Sequence, residues 1–451
     1  MALTQLKTGA IADDAVTTDK LANAINTERT ANTAKTTNAT HTGDVTGSGS
    51  LTIADNAVTL AKMAGGTDGQ IITYDASGDP VAVGPGTDGQ VLTSTGAGSP
   101  PAFEAIPASG KAHNLIINGA FQVAQRGTSS TSDGIQTVDR FALEVSGADE
   151  NPTQAQADVA SGTTPYTLGF RKSFKITNGN QTSGAAADDR IGISYNMEAQ
   201  DVANSGWNYK STSSYITFSF WVKSSVAQNF YGYFYTADSP NYLYSFETGS
   251  LTADTWTKVT KTISGNSNLV FNNDNGKGFE IAIAPFWGTD FTDSGHTLNT
   301  WAAYASSSRA PDYASTWYTT NNATFEITGV QLEVGSVAST DFEHRSYAQE
   351  LALCQRYYIF NGASMGNCGK SYSMSSFDMV MSVNYGFPVQ MRATPSVTTT
   401  NVILKNDDDG NETANINSLS KYGHQYGIKK LGGSSEEYAI QISDFKYSAE
   451  L

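Results

Sequence analysis

The N-terminal quarter of the chain consists of short repeats that carry too few apolar side chains to form a core alone. The sequence GTDGQIITYDASGDPVAVG begins at Gly66, and GTDGQVLTSTGAGSPPAFEA begins at Gly86. Each copy places an Asp-Gly turn before a β-branched run and a Gly/Pro turn after it. Burial of so few apolar groups, at about 25 cal/mol per Å², does not offset the conformational entropy lost by roughly twenty residues. The repeats must therefore be completed by partner surface from elsewhere.

A second repeat precedes the first along the chain. The sequence IADDAVTTDKL at 11–21 returns as IADNAVTLAKM at 53–63. A solenoid generally needs at least three stacked copies, whereas each repeat here occurs twice, so the favoured partners are identical chains wound around a shared axis. The intervening residues 22–50 are compatible with a short helix followed by a flexible Gly/Ser stretch, or with disorder. We therefore predict a thin, intertwined shaft over residues 1–110.

Beyond this shaft the chain becomes rich in aromatic residues. In YITFSFWVKS at 215–224, apolar side chains recur with the period of two that marks a strand with one buried face. About ten such segments, beginning with NLIINGAFQVA at 114–124, are separated by Gly, Asn and Ser turns. The pattern predicts a mostly β fold, with a β-sandwich or jelly-roll body over residues 111–345.

One segment has convincing helical spacing, SYAQELALCQRYY at 346–358. Ser346 suits the N-cap position, and Leu351, Cys354 and Tyr358 follow one another on a single face. The remaining residues return to the alternation of strands. We predict a linking helix at 346–358 that acts as a hinge, followed by a small C-terminal β tip at 359–451.

The composition excludes several classes of partner. The formal net charge of -16 and the pI near 4.7 repel phosphate backbones, and no Lys/Arg cluster reverses this charge locally, so nucleic acid is not an expected partner. The sequence has no leader of basic then apolar residues and no run of about 18 apolar residues, so we expect neither secretion nor membrane insertion. Cys354 and Cys368 are too few for a disulfide framework; two packed thiols are favoured over one pair.

Several motifs together resemble a known family. NLIINGAFQVAQRG at 114–127 is followed by Asp139–Phe141, and FEITGVQLEVG later runs into FEHRSYAQELALCQRYY. This order resembles the carbohydrate-binding-module-like jelly roll of tail fibres from tailed bacteriophages, particularly marine and cyanobacterial ones. FPVQMRATPSV at 387–397 is similar to the tip domain that often follows this module. HTGDVTGSGSLTIADNAVT and the GTDGQ repeats are similar to the shaft segments of such fibres.

The resemblance implies a homotrimeric fibre that is assembled in the host cytoplasm and carried on the virion tail. Its N-terminal region would attach to tail or other virion proteins, and its distal part would contact a host-surface glycan or protein. No long attachment domain precedes the repeats, so a short peptide within residues 1–30 is expected to make the attachment. Two other functions stay open: a structural decoration, neck or head fibre protein that binds other virion proteins, and, less favoured, a polysaccharide-degrading tailspike.

A lectin-like site needs an aromatic platform for the C–H face of a sugar and nearby polar groups for its hydroxyls. Residues 285–318 supply both kinds of side chain in loop-like surroundings. The candidate ligand-binding residues are Trp287, Asp290, Trp301, Tyr304, Arg309, Asp312, Tyr313 and Trp317. The alternative is that most of these aromatic side chains pack under a long loop or at a contact between chains.

Aromatic residues in the predicted strands have other expected roles. Trp221 and Trp256 are expected in the core or on a sheet face. Tyr231, Tyr233 and Tyr235 share one face of a strand and suit a binding strip and a trimer contact equally well.

No motif for catalysis or cofactor binding is recognisable. The five histidines lie far apart and lack metal-ligand spacing, and neither a G-x-S-x-G turn nor a Gly-rich phosphate loop occurs. Glu326, Glu333 and Glu343 fall in a region better explained by strands than by a hydrolytic carboxylate pair. We therefore expect a protein that is not an enzyme and that carries no cofactor.

One acidic segment partly matches a calcium loop. In NDDDGNE at 406–412, oxygen donors alternate at Asp407, Asp409 and Asn411. Gly410 falls between the second and third donors, and no Glu follows at the required distance. An exposed acidic turn is favoured over a calcium site.

Overall fold

The computed structural model describes residues 23–36, 45–46, 52–53, 65–87, 90–105, 114–336, 342–361, 380–406, 411–412, 415–420, 422–429 and 438–451. The chain divides into two units, Met1–Ile106 and Pro107–Leu451. Within the described residues, no helix has the length and apolar character needed to cross a membrane. The predicted mostly β character is confirmed, since strands far outnumber helices.

The first unit contains one helix and short hairpins. The helix α1 spans Asn23–Thr36, within the segment for which helix and disorder were both open. The strands are β1 Val45–Thr46, β2 Thr52–Ile53, β3 Ile71–Tyr74, β4 Pro80–Val83, β5 Gln90–Thr93 and β6 Ala102–Ala105. They pair antiparallel as β1–β2, β3–β4 and β5–β6.

The two GTDGQ repeats begin with the same local hydrogen bond. The backbone N–H of Thr67 donates to the side-chain oxygen of Gln70, at 2.7 Å, and Thr87 donates to Gln90 at 2.6 Å. Each repeat then continues into one hairpin, as the turn pattern predicts. In each repeat the glutamine that opens the first strand is therefore bonded to the threonine at the start of the motif.

The second unit begins with a body of two six-stranded antiparallel sheets. Its strands are β7 Ser129–Ser130, β8 Phe141–Ser146, β9 Thr153–Asp158, β10 Lys172–Thr177, β11 Arg190–Glu198, β12 Tyr215–Ser224, β13 Asn229–Thr236, β14 Tyr242–Ser250, β15 Thr257–Ser264, β16 Lys277–Trp287, β17 Trp301–Ala303 and β18 Thr324–Val334. The first sheet has the order β15-β12-β18-β10-β9-β7, and the second has the order β17-β14-β13-β16-β11-β8. Three short helices lie among them: α2 Thr164–Thr167, α3 Ala199–Ala203 and α4 Thr316–Thr319.

The two sheets face each other across a core rich in phenylalanine. The ring of Phe218 on β12 lies 5.1 Å from that of Phe234 on β13, in an edge-to-face arrangement. Phe230 on β13 meets Phe325 on β18 in the same way, at 4.9 Å. Because each pair joins a strand of the first sheet to a strand of the second, aromatic contacts hold the two layers of a β-sandwich together.

Residues 114–124, which were predicted as a strand, form an irregular segment instead. Asn118 has a φ of 62°, and its side chain both donates to the Val123 carbonyl and accepts from the Val123 N–H. A Cβ at Gly119 would lie 2.0 Å from the carbonyl oxygen of Val330, so the backbone approaches β18 more closely than a side chain permits. The strand prediction was wrong because these contacts outweigh the local apolar alternation.

The helix α5 spans Tyr347–Gln355 and begins at a capping box. The Ser346 side chain accepts from the N–H of Gln349, whose side chain accepts in turn from the N–H of Ser346. The buried carboxylate of Glu350 accepts a hydrogen bond from the backbone N–H of Asn118 in the body. The helix is therefore hydrogen-bonded to the body.

The remaining strands form two small antiparallel sheets. They are β19 Tyr358–Asn361, β20 Val380–Gly386, β21 Ser396–Asn406, β22 Asn411–Glu412, β23 Asn415–Ser420, β24 Gly423–Lys429 and β25 Tyr438–Ser448. One sheet has the order β19-β25-β21-β22, and the other has the order β20-β24-β23. Two of the residues after β25 contact the body: the side chain of Glu450 pairs with Arg126 at 3.0 Å, and the carbonyl of Leu451 accepts from the side chain of Asn196 at 3.3 Å.

Candidate functional site

The outer face of the second sheet carries a row of three tyrosines. Tyr231, Tyr233 and Tyr235 alternate along β13 with side chains that enter the core between the sheets. The three tyrosines belong to a separate apolar cluster on the opposite side of the sheet. The predicted shared face is thus present, and it lies outside the sandwich core.

A long connection between β16 and α4, residues 288–315, folds across this outer face. Two tyrosines of β13 meet rings of this connection: Tyr231 meets Tyr313 at 5.0 Å, and Tyr235 meets Tyr304 at 4.7 Å. Between them, Tyr233 meets Trp287 at the end of β16, at 5.2 Å. Burial of these rings against one another explains why an extended loop keeps a defined position on the sheet.

Polar contacts attach the same loop to β14. The hydroxyl of Ser245 donates to the carbonyl of Arg309 at 2.7 Å, and the Asn299 N–H donates to the carbonyl of Ser245 at 2.8 Å. The His296 ring lies between two hydroxyls, with Nε2 2.9 Å from Ser245 Oγ and Nδ1 3.0 Å from Ser308 Oγ. Burial lowers the pKa of His296, so the ring is held in its neutral form.

Four of the predicted ligand-binding residues serve packing. Trp317 is 0% exposed in the core between the sheets, and Trp287 is 2% exposed beneath the loop. The indole of Trp301 packs against the core and donates to the carbonyl of Ser264 at 2.8 Å. The hydroxyl of Tyr313 donates to the carbonyl of Tyr231. Trp287 and Trp317 therefore present no open platform, whereas Trp301 and Tyr313 are partly buried, as Tyr304 is.

The other four predicted residues lie at the surface of the loop. Tyr304 and Arg309 are half-buried and adjacent, with the guanidinium carbon of Arg309 5.8 Å from the centre of the tyrosine ring. Asp290 is exposed. Asp312 is exposed as well, and its carboxylate accepts from the hydroxyl of Thr292 at 2.7 Å, which stabilises the loop. The structure therefore brings together Tyr304 and Arg309 from the predicted set.

Strand residues complete the surroundings of this pair. We define the tyrosine patch as Tyr235, Lys277, Glu280, Tyr304 and Arg309. The ammonium of Lys277 lies 5.6 Å from the ring centre of Tyr235 and pairs with the carboxylate of Glu280. Glu280 is the register partner of Tyr235 across β13 and β16, which places both side chains on one face. Partly exposed rings thus lie beside one carboxylate and two cations.

Electrostatics favour the neutral phenols of Tyr235 in the tyrosine patch and of Tyr233 beneath it. The buried hydroxyl of Tyr233 donates to Glu280 at 2.6 Å, and burial followed by the Glu280 charge raises the pKa of Tyr233. Burial and the neighbouring Tyr304 raise the pKa of Tyr235 as well. The phenols therefore stay protonated at neutral pH and remain both hydrogen-bond donors and acceptors.

Metal ligation finds no support in the part of the chain that the structure describes. No group of three or more His, Cys, Asp and Glu side chains there could hold a metal ion. Asp407 and Asp409 of the calcium-like segment lie outside the described residues, and Asn411 begins β22. Cys354 is a buried free thiol, and Cys368 also lies outside the described residues.

Two of the glutamates considered as hydrolytic groups are engaged in ion pairs. Glu326 pairs with Lys223 at 3.0 Å across neighbouring strands of the first sheet. Glu343 pairs with Arg345 at 2.9 Å.

No protein-family model and no curated protein matches the sequence. Among solved structures, the enzymatically active domain of tailspike protein 4 from bacteriophage CBA120 is 11% identical, with a TM-score of 0.27 over 49% of this chain and 21% of that chain. The N-terminal cellulose-binding domain of a Cellulomonas fimi β-1,4-glucanase is 11% identical, with a TM-score of 0.23 over 48% of this chain and 99% of that chain. A family 11 carbohydrate-binding module from Clostridium thermocellum is 10% identical, with a TM-score of 0.22 over 47% and 98%.

The matched structures include carbohydrate-binding modules and a tailspike domain. The chain spans about a fifth of the length of the matched tailspike structure.

Proposed function

We propose that this chain is a tail fibre protein of a tailed bacteriophage that binds a glycan on the host surface through the tyrosine patch. The sequence motifs that resemble such fibres support the assignment, as does the succession of hairpin repeats, sandwich body and small β tip. In this proposal the protein binds without cleaving its ligand, is assembled in the host cytoplasm and acts on the virion.

The meeting of Tyr235 and Tyr304 is the observation that carries the proposal. Their half-buried rings lie 4.7 Å apart on the outer face of the second sheet. A sugar ring can place its C–H face on such a surface, because the aromatic face is electron-rich and its desolvation is favourable. Lys277 and Arg309 then supply two donors for sugar hydroxyls, and the buried Glu280 holds the ammonium of Lys277 in place.

The hairpin repeats support a trimeric shaft. Ile72 is 58% exposed on β3 and Leu92 is 44% exposed on β5, at equivalent points of the two repeats. Large apolar side chains that recur in this way on thin hairpins are suited to burial against the same segment of neighbouring chains. Three chains would present three tyrosine patches together, and this raises the effective affinity of weak individual sites.

The structural-decoration alternative predicts that the aromatic residues of 285–318 are buried against other virion proteins. Trp287 and Trp317 are buried, but against side chains of their own chain. Their burial therefore favours neither function over the other. The exposed edge of the tyrosine patch is the feature on which the two functions give different expectations.

A glycan array of bacterial surface polysaccharides tests the proposal. We expect the full chain to bind at least one glycan and Tyr304→Ala to lower that binding at least tenfold, because the loss of one stacking ring removes more than about 1.4 kcal/mol. Tyr347→Ala is the matched control, since Tyr347 is an exposed tyrosine on α5, away from the patch, and it should bind as the parent does. Equal binding by Tyr304→Ala and the parent would refute the assignment of the site.

A further inference from the structure

The outer face of the first sheet carries two tryptophans. Trp221 and Lys223 alternate along β12 with side chains that enter the core between the sheets, so both point away from that core. Trp256 directly precedes β15, and the ammonium of Lys223 lies 5.0 Å from the centre of its ring. Both tryptophans are half-buried. This face lies on the opposite side of the sandwich from the tyrosine patch.

The register of the first sheet adds two more lysines to this face. Lys258 on β15 is the partner of Trp221. Across the other edge of β12, Glu326 on β18 is the partner of Lys223, and Lys175 on β10 is in turn the partner of Glu326. Directly opposed side chains of neighbouring strands share one face of the sheet and contact each other. We define the lysine patch as Lys175, Trp221, Lys223, Trp256 and Lys258.

The strands of the lysine patch carry more positive than negative charge on this face. Lys223 pairs with Glu326 at 3.0 Å, and Glu326 is 5% exposed. Lys258 is exposed and Lys175 is half-buried, and neither forms an ion pair with any residue that the structure describes. An anionic group can therefore bind these two ammonium groups without breaking an existing pair. The formal charge of -16 on the chain is screened beyond about 8 Å at physiological ionic strength, so distant acidic residues do not cancel the local excess.

The indole of Trp221 is held in place by packing. It lies against an apolar cluster formed by Ala120, Val159 and Phe170. A side chain that packing already orders loses little entropy when a ligand stacks on it. The exposed part of an indole offers an apolar, electron-rich surface for the C–H groups of a sugar, and the ammonium of a lysine offers a compact positive charge for a carboxylate. The lysine patch therefore combines the two kinds of contact that a sugar ring with a carboxylate needs.

We propose that the lysine patch binds an acidic glycan, a polysaccharide whose sugar rings carry carboxylates. The sugar rings pack against the exposed parts of the two tryptophans, and the carboxylates pair with Lys175 and Lys258. The acidic side chains of a peptide would satisfy the lysines but would leave the two indoles without an apolar partner. The site is a second one besides the tyrosine patch and does not depend on glycan binding there.

Ligand-observed NMR on the full chain tests the proposal, with oligomers of galacturonate and of mannuronate as probes. The methyl ester of the galacturonate oligomer keeps the sugar rings and removes the charge, whereas an oligoglutamate of equal charge keeps the charge without the rings. The double variant Lys175→Gln, Lys258→Gln removes two charges of the lysine patch. The double variant Lys210→Gln, Lys446→Gln is the matched control, because both of these lysines are exposed and lie outside the patch.

We expect at least one uronate oligomer to bind the parent, the control and Tyr304→Ala, and to bind the patch double variant about tenfold more weakly, because two charge contacts are lost. Trp256→Ala should weaken binding by a similar factor through the loss of a stacking ring. The proposal is overturned if neither uronate oligomer binds the parent, if the methyl ester or the oligoglutamate binds equally well, or if the patch variants bind as the parent does. It is also overturned if binding requires Tyr304.

Discussion

At the scale of single residues, buried polar groups attach the segment that follows α5 to the sandwich body. The carboxylate of Glu198 is 0% exposed and accepts from Nε and Nη2 of Arg356, both at 2.7 Å, and from the hydroxyl of Tyr357. Burial raises the pKa of Glu198, but the hydrogen bonds and charge of Arg356 outweigh this and hold the pKa below its usual value. An ionised glutamate thus anchors the residues that follow α5.

The pKa of Asp139 is shifted in the opposite direction to that of Glu198, so its contribution to stability depends on pH with the opposite sign. Burial raises its pKa to about 6 from the ordinary 3.8, although the charge of Arg126 opposes the shift. Because the folded state binds this proton more tightly than the unfolded state does, the protonated carboxyl group of Asp139 stabilises the fold. This contribution is fully present below pH 3.8 and is lost as the pH rises through about 6. When the pH is lowered from 7 to about 4, the free energy of unfolding of the parent should rise, relative to that of Asp139→Asn, by up to about 3 kcal/mol.

Urea unfolding of both proteins at a series of pH values measures this difference. Asn cannot titrate, so the variant removes the contribution of Asp139 while the other carboxyl groups titrate in both proteins. A difference in unfolding free energy that stays constant from neutral to acidic pH would show that Asp139 keeps an ordinary pKa.

At the scale of elements, the loop 288–315 is held on the second sheet by rings and by His296. The variant His296→Ala removes the hydrogen bonds to Ser245 and Ser308, so we expect faster amide exchange across the loop at neutral pH. Because the folded-state pKa of His296 is lowered, protonation should loosen the loop of the parent as the pH falls below 6.5.

Hydrogen–deuterium exchange read by mass spectrometry checks this expectation. Asp290→Ala is the control, because Asp290 is an exposed residue of the same loop. It should leave the exchange unchanged. Equal exchange of the loop in His296→Ala and the parent would mean that the aromatic contacts, the pairing of β17 with β14 and the other hydrogen bonds hold the loop without His296.

The strands with large alternating side chains could be predicted from the sequence. One of the roughly ten predicted strand segments, RIGISYNME at 190–198, is β11, Arg190–Glu198, and its apolar residues alternate strictly along the strand. The strand β9, Thr153–Asp158, was missed, since TQAQAD has no large apolar side chain to reveal its buried face. Pairing with β10 along its whole length orders this strand, and pairing is not visible in local sequence.

The candidate site could be predicted only in part. Tyr304 and Arg309 stand out in a loop rich in aromatic and charged residues, whereas Lys277 and Glu280 reach the same place through the pairing of β13 with β16. That register joins segments more than forty residues apart, so composition does not reveal it. The burial of Trp317 is likewise a property of the folded sandwich, in which its Nε1 donates to the carbonyl of Thr324.

At the scale of the whole molecule, the proposed trimer depends on the apolar side chains of the hairpins. Light scattering coupled to gel filtration should give a mass about three times 47.9 kDa. The double variant Ile72→Ser, Leu92→Ser should shift the chain toward monomer, because it removes apolar area that only neighbouring chains can bury. Leu168→Ser changes an equally large exposed residue of the body and should remain trimeric. A monomeric parent would refute the shaft proposal.

The position of Leu451 has a practical consequence for such experiments. This residue lines a cleft together with Arg140, and its carbonyl accepts from Asn196. Any residues that follow Leu451, such as a purification tag, start beside this cleft and compete with Glu450 for Arg126 and Arg140. Immobilisation on an array or sensor surface is therefore better made through the opposite terminus, so that the linker leaves these ion pairs in place.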